Sequence, residues 1–113
     1  MLFRSYPSAD VLARGEADAA MIIAADPMAN FSQPAREHLA KIPFVALDPK
    51  ETPTTRAAAV AFSVATYGIN VPGTVYRMDD VPIPLRPAFD SPFPSDLTIL
   101  KGIERRVKEL LRG

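Results

Sequence analysis

The sequence predicts an α/β fold: a three-layer sandwich around a mainly parallel sheet, with an extended proline-rich arm and a C-terminal helix. Three observations carry that reading. Short continuous apolar runs at residues 20–25 (AMIIAA) and 42–47 (IPFVAL), each bounded by polar residues, have the pattern of strands covered on both faces. Between them lies a helix-compatible segment, which makes a strand–helix–strand crossover. Apolar residues recur at three- and four-residue spacing at the end of the chain, after a stretch rich in proline.

Taken in order, Ser8 is the expected N-cap and Gly15 the stop of a short first helix holding Val11 and Leu12. The strand at 20–25 follows. Ser32 can cap a second helix with Pro34 in its first turn, where a missing N–H costs nothing; Ala35, Leu39 and His38 lie along one side. After the strand at 42–47, Pro53, Thr54 and Thr55 open another short helical or turn segment, and residues 60–64 (VAFSV) make a third strand. Residues 68–85 combine glycine and proline turn signals with β-prone pieces at 74–77 and 81–85, a long excursion over the surface. Ser95 or Asp96 then caps a helix with Ile99, Ile103, Val107, Leu110 and Leu111 on one stripe. Its basic excess complements the helix dipole. The organisation is therefore a nucleotide-binding-like core at residues 1–66, a proline-rich arm at 67–94 and a C-terminal amphipathic helix at 95–113, within one structural domain.

Composition narrows the functions. The chain has 113 residues and a formal net charge of zero, with a pI near 6.6. It carries no electrostatic footprint for nucleic acid or for an anionic membrane. It contains no cysteine, which removes disulfides, thiolate metal ligands and a cysteine nucleophile. MLFRSYPS lacks the long apolar run of a signal peptide, and no segment reaches the roughly 18 apolar residues of a bilayer span, so a cytoplasmic protein is expected.

The crossover sets the candidate site. Asp26 and Asp48 both follow strand ends, at the sheet edge where open α/β sheets bind nucleotides. The loop from Asp26 and Pro27 leads to a helix N-terminus able to receive a phosphate; equally, Asp26 and Asn30 can cap local turns. Asp48 can accept from a ribose hydroxyl or from the N–H pair of a guanine edge, or can face solvent in a turn before Pro49. Thr52, Thr54 and Thr55 can donate to phosphate, although threonines beside proline commonly cap.

GEADAAMIIAADPMANF, HLAKIPFVALDP, ETPT and GTVYRMDDVPIPL, in this order and at short spacing, resemble part of the B-subunit of formylmethanofuran dehydrogenase, of the molybdopterin oxidoreductase superfamily. The resemblance spans residues 8–90. It implies an α/β domain that holds molybdopterin guanine dinucleotide, with Asp26 and Pro27 near the phosphates, Asp48 near the guanosine, and Thr54 matching a threonine that follows the acidic position. The family reaction is the two-electron interconversion of carbon dioxide plus methanofuran with formylmethanofuran, a step of one-carbon metabolism and methanogenesis at a molybdenum or tungsten centre. Family enzymes are several times longer and bind that metal through cysteine or selenocysteine, so this chain is expected to hold no metal ligand and no catalytic residue. It is expected to be inactive alone and to work with other domains or subunits of the complex. His38 is expected on the helix surface. Asn70 and Ala59 replace residues that are commonly acidic in the superfamily. They suit a second reading, a non-catalytic assembly module of a related formyltransferase/hydrolase complex that has lost the metal centre.

Overall fold

The computed structural model describes residues 7–113. The chain forms two compact units, Met1–Phe62 and Ser63–Gly113.

The first unit opens with helix α1 (Ser8–Ala13), followed by strand β1 (Ala20–Ile23), helix α2 (Pro27–Asn30), helix α3 (Gln33–Lys41), strand β2 (Phe44–Asp48), helix α4 (Pro53–Ala57) and strand β3 (Val60–Ser63). The strands make one sheet in the order β1-β2-β3. β1 and β2 run parallel with Ala20 opposite Phe44 and Ile23 opposite Leu47. This is the parallel α/β arrangement that the sequence predicts.

Local chemistry sets the helix ends. Gly15 (φ +71) follows α1 in the left-handed region. Its N–H donates to the Leu12 carbonyl, and the Glu16 N–H to the Val11 carbonyl, which together close a Schellman motif. At the other end the expectation shifts by one residue: Pro7 occupies the N-cap and Ser8 the first helical position. Ser32 is the N-cap of α3, but its side chain makes no capping bond. Thr52 caps α4 in a reciprocal capping box with Thr55.

The core of this unit is Leu12, Ala35, Leu39 and Phe44, with Ala20, Ile22, Met28 and Phe31 packed around it. Ala20 and Ile22 share a sheet face with Phe44 and Ala46, because directly paired residues point the same way. Each large side chain taken fully from water here contributes about 1.5–3 kcal/mol. β2 is covered on both faces, as expected. β1 is not: Met21 is 46% and Ile23 39% exposed. The reason is position, since β1 is an outer strand whose helix-facing residues alone reach the core.

In the second unit the proline-rich arm is an antiparallel hairpin of β4 (Gly73–Tyr76) and β5 (Pro82–Leu85). Its loop closes with the Asp80 N–H on the Arg77 carbonyl and the Arg77 N–H on the Val81 carbonyl, and Asp80 takes the left-handed position (φ +62). The preceding turn folds on the Thr66 carbonyl, which accepts from the N–H groups of Ile69, Asn70 and Val71. Asn70 Oδ1 accepts from the Thr66 N–H and its Nδ2 donates to the Phe89 carbonyl. Helix α5 (Asp96–Arg112) starts at Ser95, whose hydroxyl accepts from the Thr98 N–H at 3.2 Å. No residue of α5 is fully buried. Among the described residues, no helix is long and apolar enough to cross a membrane.

Candidate functional site

Asp26 stands beyond the carboxyl end of β1 and Asp48 at the carboxyl end of the adjacent parallel β2, since the register carries β1 to Ile23 beside Leu47 of β2. The chain turns sharply before Asp26: Ala24 adopts φ +52 while its N–H still donates to the Leu47 carbonyl at 2.8 Å. A left-handed alanine costs about 1 kcal/mol, and the β2 bond holds it there. No sequence signal marks this residue, because nothing about alanine announces a positive φ.

Asp26 is the N-cap of α2, but its side chain does not cap the helix. Instead its Oδ1 accepts a hydrogen bond from the Thr54 hydroxyl at 2.6 Å. Thr54 Oγ1 in turn accepts from the Met28 N–H at 3.1 Å. Thr54 is 0% exposed. Its single proton goes to Asp26 and its lone pair to Met28, so the hydroxyl ties the β1 loop to the β2 loop. Thr54 thus occupies the interior of a clasp and offers no free donor to a phosphate. The clasp uses one oxygen of Asp26 and leaves the second. Pro27, at the first position of α2, is buried. Asn30 Nδ2 donates to the Asp26 carbonyl at 2.9 Å, the local turn contact that competes with the phosphate reading of this pair.

Asp48 closes β2 and is 9% exposed. Its Oδ1 accepts from the Lys50 N–H at 3.1 Å, an Asx-type turn at a strand end. The side chain is therefore buried and oriented, not the solvent-facing residue of the second sequence reading. Thr55 has no donor left for a ligand, because its hydroxyl accepts from the Thr52 N–H and donates to the Thr52 carbonyl; the Thr52 hydroxyl accepts from the Thr55 N–H and is buried. His38 also departs from its surface expectation. It is half-buried, and its Nε2 lies 2.7 Å from the Ala17 carbonyl, so it ties α3 to the segment before β1.

Among the described residues, no group of three His, Asp or Glu side chains could hold a metal ion. The site offers a buried carboxylate with one committed oxygen, beside a loop tied by a buried hydroxyl.

No family model matches the chain. It is 50% identical over 104 residues, 90% of its length, to the B-subunit of the tungsten-containing formylmethanofuran dehydrogenase 2 of Methanocaldococcus jannaschii. It is 43% identical over 117 residues, 95% of its length, to the protein of the same name from Methanococcus maripaludis. The matched stretch is 24% of the first relative and 27% of the second, so the chain spans about a quarter of the length of the curated relatives it matches. At such identity over almost all its residues, the chain is homologous to a segment of the formylmethanofuran dehydrogenase B-subunit.

Proposed function

We propose that the chain is a cofactor-binding portion of the formylmethanofuran dehydrogenase B-subunit, forming part of the site for a molybdopterin guanine dinucleotide that carries tungsten or molybdenum. One observation carries this reading: Asp26 and Asp48 flank the carboxyl ends of neighbouring parallel strands, the edge at which such sheets bind nucleotides. The tungsten in the relatives' names adds weight to it. The cofactor supplies the two-electron chemistry between carbon dioxide plus methanofuran and formylmethanofuran. This chain's residues bind and orient. Asp48 accepts from the ribose hydroxyls or from the N–H pair of guanine, and the Asp26–Thr54 clasp fixes the loop beside the phosphates. The metal ligands belong to other domains or subunits of the complex, so the isolated chain is expected to show no turnover. The same reading makes it a cytoplasmic component of a multi-subunit complex in the one-carbon metabolism of methanogenesis.

Titration of a guanosine nucleotide into isotopically labelled protein tests this. Shifts confined to the Asp26 and Asp48 loops, weakened about tenfold by Asp48→Ala, are the expected result. A silent spectrum supports the second reading, a non-catalytic assembly module. That reading draws on Asn70, whose amide is spent on Thr66 and Phe89 within the fold.

A further inference from the structure

Two of the outer strands, β5 and β1, have edges that are built differently. In β5 the Arg77–Val81 bond fixes the ladder, so hydrogen-bonded pairs fall at Val75–Ile83 and Gly73–Leu85. Pro82 and Pro84 occupy the alternate positions, where the backbone nitrogen points away from β4. That edge therefore offers no N–H to an incoming strand. β1 is the opposite. The N–H groups of Ala20 and Ala24 donate to β2, at Pro43 and Leu47, so by alternation those of Met21 and Ile23 point outward. The strand has no charge, no proline and no bulge, the usual protections of an outer edge. Beside it runs an open apolar groove of about 450 Å³, lined by Val11 and Leu12 of α1, Ala20 and Ile22 of β1, and Pro27 and Phe31 around α2.

We infer that β1 is an interior strand of the working sheet, and that its open edge takes one further apolar β-strand supplied by the part of the B-subunit polypeptide that this chain does not include. The occupant follows from two observations. About three-quarters of each relative's length lies outside the matched stretch. The groove is lined without a charged residue, which suits an apolar strand. A single extended strand fits alongside β1, adding main-chain bonds at Met21 and Ile23 and covering their exposed side chains. The inference rests on the formylmethanofuran dehydrogenase reading.

Amide hydrogen exchange tests it, in the isolated chain and in a chimera where the chain replaces the homologous quarter of the Methanocaldococcus jannaschii protein. In the isolated chain, Met21 and Ile23 exchange fast while Ala24 is protected. In the chimera, both slow about 100-fold. Equal rates in the two proteins overturn the inference, as does protection already present in the isolated chain, whether monomeric (cover from within the chain) or dimeric (a second copy). Ile23→Pro gives an independent arm, since the N–H it removes points outward and the β1–β2 ladder does not use it. It should leave the isolated chain's melting temperature within about 3 °C and lower that of the chimera by more; equal effects count against the added strand. Guanosine binding is read separately at Asp26 and Asp48. Slowed exchange without a nucleotide response keeps the strand and discards the cofactor reading, and the reverse result discards the strand alone.

Discussion

The two units of this chain are stabilised by different means. The first buries Leu12, Ala35, Leu39 and Phe44 in one cluster. In the second, only Val64 and Ala65 are fully buried hydrophobics, and α5 contributes none. What holds the second unit's loops is turn chemistry: the Thr66 carbonyl, the Asn70 amide and the hairpin closure at Arg77. The difference extends to the edges. The loosely packed unit closes the β5 side of its hairpin with prolines, whereas the well-packed unit leaves the N–H groups of Met21 and Ile23 facing outward on β1. Packing quality and edge protection are thus separate properties.

The contrast breaks first at Leu39. This side chain is 0% exposed at the centre of the first unit's core, so Leu39→Ala removes its transfer energy and leaves a cavity. A loss of about 3 kcal/mol is expected in a denaturant titration. The comparable truncation Leu110→Ala on α5, where Leu110 is 63% exposed, should cost under about 0.5 kcal/mol. Equal losses would remove the distinction between the units.

Thr54→Val comes next and bears on the site. The change keeps the shape but leaves Asp26 Oδ1 without its donor and the Met28 N–H without its acceptor. About 2 kcal/mol of stability should be lost. Chemical-shift changes should reach both the Asp26 and Met28 amides. A variant that loses stability with those amides undisturbed would show that the clasp does not join the two loops. Thr54→Ser, which retains the hydroxyl, should keep most of the stability that Thr54→Val loses.

Gly73→Ala moves the comparison to the second unit at smaller cost. A Cβ added at Gly73 would stand 2.9 Å from Tyr67 Cδ1. The ring must shift, with a loss of about 1 kcal/mol. The same change at Gly102, where a Cβ meets nothing within 4 Å, should stabilise α5 by a few tenths up to about 1 kcal/mol. Thermal melts of the two variants should therefore move in opposite directions.

Legibility in the sequence follows the same division. β2, α5 with its Ser95 cap, and the Gly15 stop are all visible, because each depends on apolar periodicity or on one residue's local conformational preference. Asp26 and Asp48 could be placed at neighbouring strand ends from the crossover alone. Three features could not be read. The exposure of Met21 and Ile23 depends on what lies beside β1, and an apolar run reads the same whether or not a neighbour is present. The Thr54–Asp26 bond joins residues 28 positions apart, so local spacing contains no trace of it. Pro82 and Pro84 signal a surface excursion, but only the hairpin register reveals that their nitrogens point away from β4.

A small effect lies at Tyr67, and pH isolates it. The Tyr67 hydroxyl donates to Asp96 Oδ1 at 2.5 Å. That bond first, then burial and the carboxylate charge, raises the phenol above its ordinary value. Because the folded value is raised, the neutral phenol is the form the fold favours. The resulting stability is complete below the unfolded value of about 10 and disappears as pH rises through the folded one. Tyr67 is 44% exposed, so solvent screening limits the contribution to less than about 1 kcal/mol. Tyr67→Phe should melt slightly lower than the parent at pH 7, with the difference closing above about pH 10. An offset that stays constant across that range would assign the effect to packing of the ring on Gly73, leaving the second unit without a polar latch to the start of α5.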